Sequence, residues 1–139
     1  MEVINVNADK YTDVEKFLKT IPGIKLDVEV IMNASLLMKD DEIVGIISFE
    51  CFGRTGLIRY FIFKQLIDEK TLQLLFNNLI STASSKGITK IIAFVANTDT
   101  IPIFEFLGFT KAESKQVYID EKKYPNEKSA ISEIYQYEV

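Results

Sequence analysis

The chain has 139 residues, 47% hydrophobic and 26% charged, with a net charge of −4, a length and balance that fit one soluble folded domain with its own core and exclude a disordered or fibrous chain. It contains no histidine, which excludes a Ser-His-Asp triad, a Cys-His pair, a His-ligated zinc and an imidazole base. Its two arginines, Arg54 and Arg59, give an acidic chain no electrostatic footprint for nucleic acid, and its one cysteine, Cys51, permits no internal disulfide.

Residues 2–6, "EVINV", alternate apolar and polar as a half-buried strand does, and Asn7 or Asp9 is placed to cap the helix that follows. The opening residues lack the basic start and apolar run of a signal peptide, and no segment approaches a membrane span, so a cytoplasmic location is expected. Tyr11, Val14, Phe17, Leu18 and Ile21 recur at helical spacing until Pro22-Gly23 stops them. The stretch 24–32, "IKLDVEVIM", fits both an alternating strand and a short helix, and its pattern does not choose between them.

From residue 35, "SLLMK", Asp40-Asp41 and "EIVGIISFECF" predict a hairpin, and "GRTG" at 53–56 turns the chain into a third strand, "LIRYFIF". A long helix is predicted over Asp68 to Lys86, its stripe formed by Leu72, Leu75, Phe76, Leu79, Ile80 and Ala83, with Gly87 as its stop. "ITKIIAFV" then reads as a central strand covered on both faces. The strand, helix, strand order from 57 to 95 is a crossover unit, which predicts that its two strands lie parallel. A short helix is expected over about 99–107, with Pro102 in its first turn and Gly108 after it. "KQVYID" and "SEIYQYEV" are expected to pair as the closing strands.

This order of elements resembles the GCN5-related N-acetyltransferase (GNAT) fold over nearly the whole chain, most specifically in "NTDTIPIFEFLGF", which resembles that family's asparagine, short helix, aromatic residue and Leu-Gly-Phe. The resemblance implies one α+β domain over residues 1–139: a mixed, mostly antiparallel central sheet with a splayed parallel strand pair and flanking helices. It implies acetyl-CoA as cosubstrate and acetyl transfer to a primary amine by direct attack. The pantetheine arm would bond main chain near Phe61, Ile62, Phe63 and Val95, with Asn97 either holding that arm or serving as a cap. The pyrophosphate would meet the start of the long helix at Asp68, Glu69 and Lys70.

Two positions depart from the family pattern. Its glycine-rich helix entry is replaced here by Ile67-Asp68-Glu69-Lys70-Thr71-Leu72, where an N-capping Asp68 competes with phosphate for the same amides. Its frequent tyrosine acid is replaced by Phe104, which has no proton to give. Glu50 and Tyr60 are the remaining candidates for proton transfer, the first as a base and the second late in the reaction. The expected function is weak or divergent acyl transfer to a small-molecule or protein amine; the alternative is a catalytically inactive ligand-binding or regulatory module of the same fold. A homodimer through the edge of the closing strands is a further expectation, with neither a membrane nor a metal as partner.

Overall fold

The structure is a computed structural model that describes residues 1–112, 117–119, 122–124 and 133–139, the backbone alone at 117–119 and 122–124. It forms two compact units, Met1–Glu50 with Arg59–Thr82, and Cys51–Ile58 with Ala83–Val139. Its elements are β1 (Glu2–Asn5), α1 (Ala8–Lys19), α2 (Val28–Met32), β2 (Ser35–Lys39), β3 (Glu42–Phe52), β4 (Thr55–Phe63), α3 (Glu69–Ser85), β5 (Lys90–Val95), α4 (Ile101–Phe106), β6 (Thr110–Lys111), β7 (Val117–Ile119), β8 (Lys122–Tyr124) and β9 (Glu133–Glu138). Seven strands hydrogen-bond in the order β1-β2-β3-β4-β5-β9-β6, and β7 pairs with β8 apart from them. The β4–β5 pair is parallel, while β1–β2, β2–β3, β5–β9 and β6–β9 are antiparallel.

In the first unit α1 begins where Asn7 supplies a cap, its side chain accepting from the Lys10 amide at 3.0 Å. The ambiguous stretch resolves into α2, because Asp27 accepts from the Val30 amide at 3.2 Å and so nucleates a turn. Val30 and Ile31 of that turn are buried, whereas Val28 and Met32 are exposed. The β2–β3 hairpin closes on Asp40 and Asp41 with φ of 51° and 62°. Both turn residues are left-handed, which matches the twist of the paired strands, and aspartate tolerates that region better than most side chains. The core of this unit gathers Val14, Leu18, Ile31, Leu36 and Ile46, all fully buried. Asn78 of α3 donates to Asn5 at 2.7 Å and to Ser35 at 2.8 Å, and so ties the helix to β1 and β2.

In the second unit the β4–β5 ladder runs from Thr55–Lys90 to Leu57–Ile92, the parallel pairing expected of a crossover connection. The predicted turn 53–56 is tighter than expected, since β4 already begins at Thr55. The short helix is likewise divided: a 3₁₀ turn, Thr98–Thr100, precedes α4, and Gly108 follows with a φ of 102°. The closing strands correct the sequence reading. Val117–Ile119 pairs with Lys122–Tyr124, and β9 instead lies between β5 and β6. A ladder along all of β5, from Lys90–Glu138 to Val95–Glu133, joins more backbone groups than a three-residue partner offers, and it buries Ile134 and Tyr135. Lys115, Gln116, Asp120 and Ser132 of the expected pair lie outside the described residues. Among the described residues no helix is long and apolar enough to cross a membrane.

Candidate functional site

The first unit holds a cleft of about 390 Å³ whose walls include Glu50, Arg59 and Tyr60 from the sheet, and Gly23, Lys25 and Asp27 from the segment before α2. Arg59 Nε donates to Glu50 Oε1 at 2.7 Å. Both side chains remain partly exposed, at 41% and 24%, so the pair is worth at most about 1 kcal/mol; its consequence is to fix where the carboxylate stands. Among the described residues neither group has another side-chain partner, which leaves Glu50 Oε2 and the Nη groups of Arg59 able to bond a ligand.

Tyr60 is buried, with its hydroxyl donating to the Lys25 carbonyl at 2.7 Å. Burial pushes the phenol above its ordinary value of 10.0; a hydrogen bond with the Asp27 backbone works the other way, and the charges of Asp27 and Tyr11 add to the rise. The hydroxyl is therefore protonated at neutral pH. It also pins the segment that carries Lys25 and Asp27, so that these two charges form a defined wall. Sequence reasoning found Glu50 and Tyr60 and the structure brings them together; it missed Arg59, Lys25 and Asp27. The signal for Arg59 was present, since a hairpin ending at Gly53-Arg54 brings residues on its two arms within reach.

Phe61, Ile62 and Phe63 end β4. The rings of Phe61 and Phe63 meet edge to face at 5.2 Å, and Ile62 packs on the core of the first unit. Phe63 occupies the space above Gly45, where a Cβ would come within 2.7 Å of its ring. At the start of α3 the Asp68 carboxylate accepts from the Thr71 amide at 2.7 Å. Hydrogen bonds from the Thr71 side chain and backbone hold its carboxyl below the ordinary 3.8. Glu69 and Lys70 are exposed in the same turn. This terminus offers a coenzyme A pyrophosphate little: the protein's own carboxylate takes the Thr71 amide, a second stands beside it, and no glycine opens the backbone.

In the second unit Val95 is buried at the end of β5, and Asn97 accepts from the Asp99 amide at 3.0 Å as the cap of the 3₁₀ turn. Of the two roles open to Asn97, the cap is the one its side chain performs here. Phe104 is buried against Phe109, their rings 5.3 Å apart, and Phe109 lies 5.5 Å from Tyr137. The aromatic residue of the short helix thus belongs to a packed cluster.

No protein-family model matches the chain, and no curated protein matches it. Its fold is similar to that of several solved structures, acetyltransferases among them. Rv2747 from Mycobacterium tuberculosis, solved in complex with CoA, matches at a TM-score of 0.70 and 12% identity over 100% of this chain and 99% of its own. N-acetylglutamate synthase from Neisseria gonorrhoeae, complexed with coenzyme A and N-acetyl-glutamate, matches at 0.67 and 19% over 99% of this chain; the chain spans about a third of that protein, 34%. An acetyltransferase of the GNAT family from Streptococcus pneumoniae matches at 0.67 and 13%, over 99% and 98% of the two chains. At these identities the likeness is one of fold, and the chain has the mixed α+β fold of the GNAT acetyltransferases.

Proposed function

We propose that this chain is an acyl-CoA-dependent N-acyltransferase of low activity toward common amines, whose acceptor enters the cleft of Glu50, Arg59 and Tyr60. The observation that supports it most is the Glu50 carboxylate held by Arg59 Nε at 2.7 Å with its second oxygen still able to bond. An amine enters water as an ammonium and is not a nucleophile until it loses a proton. Glu50 takes that proton directly or through water, and Arg59 fixes the carboxylate in place for it. Tyr60 retains its proton at neutral pH and serves as the neutral hydroxyl of the cleft. The freed amine attacks the carbonyl carbon of the acyl thioester as the C–S bond breaks. The acyl group ends as an amide, the sulfur leaves as a thiolate and takes up the second proton lost by the nitrogen, and the proton held by Glu50 returns to water. On the donor side we assign Phe61, Ile62 and Phe63 to the pantetheine arm; the carboxylate at Asp68 means that the phosphate end contributes little to affinity.

The test joins binding to turnover. Acetyl-CoA at millimolar concentration is expected to raise the unfolding midpoint saturably, and Glu50→Gln to lower acceptor-dependent thiol release by about 10²–10⁴-fold with the midpoint shift intact. No shift over a hundredfold concentration range would remove the donor from the proposal. A second reading, a binding or regulatory module of this fold without catalysis, is favoured by the self-capped α3 and by the packing of Phe104; it gains if the donor binds but Glu50→Gln changes nothing.

A further inference from the structure

We infer that the acceptor is an amine that also carries a carboxylate, bound as a zwitterion across the Glu50–Arg59 pair with an apolar side chain toward Ile24 and Val30. The inference rests on the reading of this cleft as the acceptor site. Four charged side chains line it, Lys25, Asp27, Glu50 and Arg59, two of each sign, so its formal charge is zero. A polyamine would bring several positive charges to Lys25 and Arg59, and a simple acid would meet Asp27 and Glu50. A molecule with one ammonium and one carboxylate answers both signs.

Local geometry points the same way. A guanidinium has five N–H groups, and Glu50 takes the one on Nε, leaving the terminal nitrogens of Arg59 for a second carboxylate in the paired geometry that suits them. Glu50 Oε2, which takes no side-chain partner among the described residues, is then the acceptor for the α-ammonium. Lys25 has no carboxylate partner among the described residues and can reinforce the acid end. Asp27 uses one oxygen to cap α2 and lines the same cleft, where its charge can meet the ammonium. Ile24 and Val30 supply the apolar part of the lining, and the cleft is roomy for a single amino acid.

Calorimetric titration of the full chain with four probes, without any acyl donor, tests this. L-leucine carries both charges, 3-methylbutylamine lacks the carboxylate, 4-methylpentanoate lacks the amine and L-leucinamide neutralises the acid. Leucine is expected to bind at least about tenfold more tightly than each of the others. Arg59→Gln should bring leucine down to leucinamide, and Glu50→Gln should bring it down to 4-methylpentanoate. Should Arg59→Gln fail to fold, Arg59→Lys keeps the charge without the fork and is expected to retain part of the preference. Equal binding of leucine and 3-methylbutylamine, or binding of none of the four, overturns the inference. Selective leucine binding without acyl transfer upholds it and removes the enzymatic reading. Transfer to 3-methylbutylamine as efficient as to leucine overturns it and leaves that reading in place.

Discussion

The hydroxyl of Tyr60 donates to the backbone carbonyl of Lys25 at 2.7 Å, joining β4 to a segment thirty-five residues earlier that has no regular structure of its own. With the packing of Ile24 and Leu26 on the core and the Asp27 cap, this bond sets the position of one cleft wall. Tyr60→Phe keeps the buried ring and removes the bond, and is expected to lower stability by about 1 kcal/mol. If the cleft receives the acceptor, KM for that acceptor rises more than kcat falls. Denaturant midpoints and steady-state kinetics on the same variant separate the two effects.

The same residue gives the protein an alkaline limit. Its folded pKa is raised above the ordinary 10.0, so the folded state holds the proton more tightly than the unfolded chain. The stability this contributes is complete below pH 10 and is lost as pH rises from there through the higher folded value. Wild type should lose its margin over Tyr60→Phe across that window. Two curves that decline in parallel would show that the phenol contributes nothing to it.

At α3 the prediction concerns charge and helix together. Replacing Asp68 and Glu69 with glycine removes both carboxylates and is expected to tighten coenzyme A binding while the helix loses its cap and the protein some stability. Asp68→Asn separates the two, because asparagine still caps but carries no charge. Titration calorimetry that finds affinity unchanged in the glycine variant excludes the carboxylates as the obstacle. Since the Asp68 carboxyl is held below 3.8, its contribution to the fold is present above that pH and is lost as pH falls through the lower folded value.

Gly45→Ala tests how closely β3 and β4 are packed. A methyl there would sit 2.7 Å from Phe63 Cδ1, so the ring must turn or the strand must move. A loss of about 1–3 kcal/mol is expected, with a changed near-ultraviolet signal from the displaced aromatic pair. An unaltered unfolding midpoint would mean that Phe63 has another place to go.

The elements with strong local signals were legible in the sequence. The Asp40-Asp41 hairpin, the α3 stripe and the parallel crossover follow from turn chemistry and periodicity. Local chemistry failed where long-range pairing decides: nothing in "SEIYQYEV" distinguishes β5 from the nearer residues 115–120 as its partner. For α2 the alternation of Ile24, Leu26, Val28 and Val30 left strand and helix both open, and the decisive residue was Asp27, whose capping bond overrides the strand-like pattern. Glu50 and Tyr60 were recognisable by type and position in strands. Lys25 and Asp27 were not, because their place depends on an irregular segment held by the Tyr60 hydroxyl, by the α2 cap and by the packing of Ile24 and Leu26 on the core.

The position of β9 bears on how the second unit is made. This strand is the last in the chain, yet it lies between two earlier ones, β5 and β6. During synthesis "KIIAFV" leaves the ribosome well before the strand that covers its edge, a gap of roughly 2–8 s at ordinary elongation rates. For that interval an apolar strand with an open edge is available to other nascent chains. Slower translation of the segment between them lengthens the exposure, which makes codon choice there a determinant of soluble yield.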